Sequence, residues 1–197
     1  MKKISKLSLM LVMTLLAMNV HAGTVNFSLD VKKEQGKKVT FAINKMNDMD
    51  LSIYDADDKL IHSEKVNSKK DLNRTYDLNA LPEGTYFLEA ESDSKISRYG
   101  ISVAGASASL SAIAISEVYK PVFEFKKGLV WVNMLNLDKS PVTLKIYDED
   151  DNEVYDSAVL MDQNVKKVFD VKNIQSEKYT FVMTCKDKIF TKTFPNR

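Results

Sequence analysis

Apolar and polar residues alternate with a period of two through most of this chain. Val39, Phe41 and Ile43 are interleaved with Thr40 and Ala42, Leu51 and Ile53 flank Ser52, and Tyr86, Leu88 and Ala90 alternate with Phe87, Glu89 and Glu91. That period places successive side chains on opposite faces of a strand. The runs are short and are broken by Asn, Asp, Lys and Gly every ten or so residues, and no segment carries a helical stripe. The pattern predicts an all-β fold of antiparallel strands packed as a sandwich.

The pattern also occurs twice. "IYDADDKLI" at Ile53 to Ile61 returns as "IYDEDDNEV" at Ile146 to Val154, 93 positions on. The same shift lays "TYDLNALPEGTYFLEAE" (Thr75 to Glu91) on "VFDVKNIQSEKYTFVMT" (Val168 to Thr184), so that Asp77 meets Asp170 and Tyr86 meets Tyr179. One shift serving several distant segments argues for an internal duplication. Each copy holds about seven predicted strands, the number of an immunoglobulin-like sandwich. The expected organisation is a leader over 1–22, a first sandwich over 23–103, a linker over 104–116 and a second sandwich over 117–197.

The leader is read from the start of the chain. Lys2, Lys3 and Lys6 precede the apolar run "LSLMLVMTLLAM" (Leu7 to Met18), and Val20 and Ala22 stand where a signal peptidase selects compact side chains. Cleavage after Ala22 is expected. The apolar run falls short of the roughly 20 residues that span a bilayer, so no integral membrane segment is expected in the mature chain. Losing three lysines and no acid changes the formal charge from +1 to −2. A near-neutral chain lacks the basic field that nucleic-acid binding draws on. The expected location is the periplasm, the cell surface or the extracellular space.

Candidate chemistry is sparse. Cys185 is the single cysteine, so no internal disulfide is available, and it continues the alternation Tyr179, Phe181, Met183 as a small core side chain. His62 is the one histidine outside the leader, and no nucleophile is marked beside it. One His and one Cys make no zinc set. The acidic stretches have part of a calcium-loop spacing in Asp148, Asp150 and Asn152, but Glu153 stands at the glycine position and Val159 at the distal carboxylate position. Asp and Asn are also what exposed hairpin turns select. If a metal binds, Asp148, Asp150 and Asp151 are its candidate ligands, since the first copy has Lys59 among its acids. No cofactor and no catalytic residue is expected.

Two further stretches stand out. "AGASASLSAIAIS" (Ala104 to Ser116) lies in a run with no charge between Arg98 and Glu117. It reads as a close-packed connection between the copies, with pairing to a partner's sheet edge as the alternative. Tyr119, Phe123, Phe125 and Trp131 cluster at the start of the second copy. Phe123 and Phe125 alternate into a core, whereas Trp131 falls out of step with Val130, Val132 and Met134. Trp131 is therefore the candidate ligand-binding residue, with packing in the core or between domains as the competing reading.

"LSIYDADDKLIHSEKV" followed by "YDLNALPEGTYFLEAESDSKISRYGISV" resembles the C-terminal sorting domains of the type IX secretion system of Bacteroidota. Its most specific part is "LPEGTYFL" (Leu81 to Leu88), where Pro82 and Gly84 build the turn before a core strand. The resemblance covers about Leu51 to Val103 and extends more faintly over Leu144 to Phe194. It departs at Asp58, where the family has a turn glycine, and at "IQSEKYTF" in the second copy. It implies a small immunoglobulin-like sandwich in an exported protein. The expected function is non-catalytic, by binding a protein or surface glycan or as a structural component of the envelope or exterior. The alternatives are a type IX cargo with the second copy as its sorting domain, and a carbohydrate-binding module.

Overall fold

The computed structural model describes residues 27–44, 48–67, 72–171 and 176–195, and the regular structure among them is β-strand throughout. The expected leader lies outside the described residues. The first unit contains β1 (Ser28–Gln35), β2 (Lys38–Asn44), β3 (Met49–Tyr54), β4 (Leu60–Val66), β5 (Leu72–Asp77), β6 (Gly84–Glu91) and β7 (Lys95–Ala104). Two short strands follow, β8 (Ser107–Leu110) and β9 (Ser116–Tyr119). The second unit contains β10 (Val122–Lys126), β11 (Leu129–Leu135), β12 (Val142–Tyr147), β13 (Glu153–Asp156), β14 (Asn164–Asp170), β15 (Lys178–Cys185) and β16 (Lys188–Pro195).

All named strand pairs are antiparallel. In the first unit a sheet of order β1-β2-β5 faces one of order β4-β3-β6-β7. In the second, β10-β11-β14 faces β13-β12-β15-β16, the same order strand for strand. The molecule is two tandem immunoglobulin-like antiparallel sandwiches.

Alternation gives each sandwich its core. Phe41, Ile43, Leu51 and Leu88 are fully buried in the first. Val130, Leu144, Phe181 and Met183 are fully buried in the second. Burying side chains of this size stabilises the fold by about 1.5–3 kcal/mol each. Phe181 anchors an aromatic group, with the rings of Phe123, Phe169 and Phe194 at 6.3, 5.5 and 5.8 Å and steeply tilted to it. Cys185 is buried at the end of β15.

The uncharged segment folds back on its own sheet. Gly105 takes a positive φ of 54° in the turn, and β8 pairs with β7 from Ile101 to Ala104. Ala108 N donates to the Gly36 carbonyl at 2.9 Å and Leu110 N to Glu34 Oε1 at 2.9 Å, which ties β8 to the β1–β2 turn across the sandwich. After a short loop, β9 pairs with the start of β7, Lys95 to Arg98 against Tyr119 to Ser116. Val118 of β9 belongs to the second unit's core cluster. One four-residue strand thus hydrogen-bonds to the first unit and packs into the second.

Candidate functional site

The acidic stretches form matching hairpin tips. In the first, Asp55 Oδ1 accepts from Asp57 N at 3.0 Å and Lys59 N at 2.9 Å. In the second, Asp148 Oδ1 accepts from Asp150 N at 3.0 Å and Asn152 N at 2.9 Å, and Oδ2 accepts from Asn152 Nδ2 at 3.1 Å. Asp58 and Asp151 both have φ of 60°, a left-handed conformation that Asp tolerates through local hydrogen bonds. The hydrogen bonds from the Asn152 side chain and backbone hold the Asp148 carboxyl below its ordinary value. Asp150 and Asp151 are exposed on the tip. Among the described residues no group of three or more metal-ligating side chains forms a metal cluster. His62 is exposed on β4, with its ring edge-on to Tyr76 at 5.8 Å.

The junction between the units holds a denser group of charges. Glu89 and Arg98 are direct cross-strand partners in the β6–β7 hairpin. Arg98 Nη1 donates to Glu89 Oε1 at 3.3 Å, its other amine donates to Asp58, and its guanidinium lies 3.9 Å over the Phe87 ring. From the second unit, Lys188 Nζ donates to both Glu89 oxygens at 2.9 and 3.0 Å. The Glu89 side chain is only 6% exposed. Burial disfavours the charge on Lys188, but its hydrogen bond to Glu89 and the charges of Glu89 and Asp187 outweigh this and raise its pKa. A buried carboxylate held by a cation from each unit fixes their relation through charge-assisted bonds.

A second set of contacts lies beside it. Lys95, itself buried, donates to Glu117 Oε1 at 2.6 Å, and Ser97 Oγ donates to the same oxygen at 3.0 Å. Burial raises the Glu117 carboxyl, yet Lys95, Ser97 and Lys186 together pull it below the ordinary carboxylate value. Lys186, in the β15–β16 turn, donates to the Glu117 carbonyl at 3.1 Å and pairs with Asp138 at 2.7 Å. Two open pockets flank these contacts. One of about 350 Å³ is lined by Ala56, Phe87, Arg98, Val118 and Lys188, and one of about 220 Å³ by Ile115, Tyr119, Leu137 and Lys186. The junction charges are paired with one another, so the cluster is built to orient two domains. Its principal residues, Glu89, Arg98 and Lys188, stand among the strand residues without a motif. Only the Glu89–Arg98 pairing follows from a hairpin register.

Trp131 occupies a different place. It lies on the outer face of the three-stranded sheet β10-β11-β14, 46% exposed, between Glu124 and Val168 in register. Val122 and Val168 on the same face are also exposed, at 61% and 49%. Phe123 and Phe125, one step out of phase, turn inward and pack partly buried against the second core. The aromatic cluster thus divides by strand phase: Phe rings inside and Trp131 outside.

No curated protein matches this chain. Among solved structures, the BSP domain of a biofilm-associated protein is 15% identical with a TM-score of 0.27, over 84% of this chain and 30% of that one. The chain therefore spans less than a third of that structure's length. The FN1–FN3 domains of chicken CNTN1 are 9% identical with a TM-score of 0.31, covering 86% of this chain and 67% of that one. Native alpha-2-macroglobulin from Escherichia coli, spanning domains NIE–MG1, is 10% identical with a TM-score of 0.24, covering 88% and 99%. No helix among the described residues is long and apolar enough to cross a membrane. A family model, the secretion system C-terminal sorting domain, matches residues 19–101. The first sandwich, with its "LPEGTYFL" turn and strand, is thus similar to the C-terminal sorting domains of secretion-system cargo, in a match that ends within β7.

Proposed function

We propose that this chain is an exported, non-catalytic protein of the cell envelope or exterior that acts by binding through its sandwich surfaces. The match of residues 19–101 to a secretion sorting domain supports export. The signal-peptide pattern of residues 1–22 supports the same route. We divide the chain into a first sandwich over 23–103, a connection over 104–116 and a second sandwich over 117–197; Ala108 and Leu110 of the connection pack into the first core, and Val118 packs into the second. Binding is favoured over catalysis because the charged side chains that come together, Glu89, Arg98, Lys188, Lys95 and Glu117, neutralise one another at the junction.

A second reading is a type IX cargo whose second unit is the sorting signal. The shared strand order of the two units supports it, since the second unit repeats the topology of the unit that the family model matches. The test is fractionation of cells producing the full chain with a small internal epitope tag, together with N-terminal sequencing of the mature form. Export predicts a mature chain beginning at Gly23 outside the cytoplasm. Retention of the intact leader in the cytoplasm refutes it. In a host whose type IX translocon is inactivated, a cargo accumulates in the periplasm, whereas a protein using another route keeps its distribution.

A further inference from the structure

We propose that the outer face of β10-β11-β14 is a binding platform for a neutral oligosaccharide, with Trp131 as the stacking surface. The inference rests on the binding reading above and names its ligand class. Register defines the platform as three cross-strand rows: Val122–Asn133–Lys166, Glu124–Trp131–Val168 and Lys126–Leu129–Asp170. Cross-strand neighbours have Cβ atoms about 5 Å apart, which places Glu124 and Val168 directly beside the indole. Val122 and Lys166 lie on its diagonals. Among the described residues the Trp131 side chain makes no ring contact and no hydrogen bond to protein, and it is 46% exposed. The face and the polar handle are both open.

The fold itself does not call for an indole here. In the first unit the corresponding row is Lys33–Thr40–Thr75, which pairs through the same strands in the same order. Thr40 and Thr75 join their hydroxyls at 2.8 Å, so a sheet of this topology is satisfied by polar side chains at that position. Trp131 and Val168, with Val122 beside them, put a contiguous exposed apolar patch where the first unit has a hydroxyl pair.

The surroundings select the occupant. Glu124, Lys126, Lys166 and Asp170 contribute two charges of each sign, and Asn133 adds a neutral donor and acceptor. A rim with no net charge gives no electrostatic advantage to phosphate-rich or polyanionic ligands. The nine side chains of the three rows are far fewer than the 20–30 residues a side of a standard protein interface. A sugar ring meets both conditions: its C–H face packs on the indole, and its hydroxyls exchange hydrogen bonds with carboxylate, amide and ammonium groups.

Trp131 is the single tryptophan of the chain, so its fluorescence reads this face alone. The full mature chain is titrated with neutral hexaoses (β-glucan, mannan and xylan fragments), with an oligogalacturonate as the anionic control, and screened on a glycan array. The expected result is saturable change of Trp131 emission with at least one neutral glycan and none with the anionic one. Asn133→Ala and Lys166→Ala each weaken that binding about tenfold, the loss of one hydrogen bond or charge-assisted bond. Trp131→Thr, which restores the hydroxyl of the first unit, folds with unchanged circular dichroism and loses the array signal. A blank array, equal binding by Trp131→Thr, or binding confined to the anionic glycan overturns the proposal. A blank array for a chain that still fractionates outside the cytoplasm leaves the export reading standing, whereas cytoplasmic retention refutes export and leaves the platform intact.

Discussion

Removing the Glu89 carboxylate uncouples the two sandwiches. Glu89 is 6% exposed and is held by Arg98 of the first unit at 3.3 Å and by Lys188 of the second at 2.9 and 3.0 Å. Breaking a buried ion pair by deleting one partner costs about 3–5 kcal/mol. Here the orphaned groups keep other contacts, since Arg98 retains Asp58 and the Phe87 face, and Lys188 retains Asp187. Glu89→Ala is therefore expected to cost about 1.5–3 kcal/mol, the range for charged hydrogen bonds. Lys188→Ala is expected to cost about as much, leaving Glu89 to Arg98 alone. The double variant costs less than the sum, with a coupling of about 1–2 kcal/mol. The assay is urea unfolding of the full chain followed in parallel by circular dichroism, which sees both units, and by Trp131 fluorescence, which sees the second. Glu89 lies in the first unit, so Glu89→Ala moving the Trp131 transition to lower urea shows that stability passes across the junction. An unmoved Trp131 transition, or a coupling below about 0.5 kcal/mol, refutes the bridge.

The other expectations are independent of that bridge. Phe181→Ala, deleting the ring at the centre of the second unit's aromatic group, costs about 3–5 kcal/mol in denaturant titrations. Glu117 is held below its unfolded pKa of about 4.3, so its stabilising contribution is present above that pH and is lost as pH falls through the lower folded value. Lys95→Met should remove that part of the acid dependence, measured as melting temperature against pH. Asp148→Ala deprives the Asp150 and Asn152 N–H groups of their acceptor and lowers the melting temperature, while Asp150→Ala on the same tip changes it little. Burial raises the pKa of Cys185, so its thiol reacts with a disulfide reagent only after unfolding, and fast reaction of the native chain contradicts its placement.

The parts of this structure that were legible are those governed by local period. Val39, Phe41 and Ile43 announced a half-buried strand, and the paired "IYD" hairpins announced two units with the same turn chemistry. The alternation also separated Trp131 from its neighbours, because one step along a strand exchanges core for surface. The junction was not legible in the same way. By alternation Glu89 belongs on the outward face, yet it is buried, with Lys188 at the start of β16, 99 residues further on, coming down onto it. No periodicity within one strand contains that information. The uncharged segment was ambiguous for a related reason. Small residues suit either a connection or a segment that pairs with a partner's sheet edge, and the hydrogen bonds that hold β8 go to Gly36 and Glu34, far away in sequence.

The most direct measurement is collisional quenching of Trp131 in the full mature chain, since binding by the second sandwich needs that face open to solvent. With the indole 46% exposed beside Glu124 and Val168, the account predicts red-shifted emission that acrylamide and iodide both quench, and protection from quenching when a neutral glycan binds. A blue-shifted emission that neither quencher reaches would mean that protein covers the face, and would contradict the account.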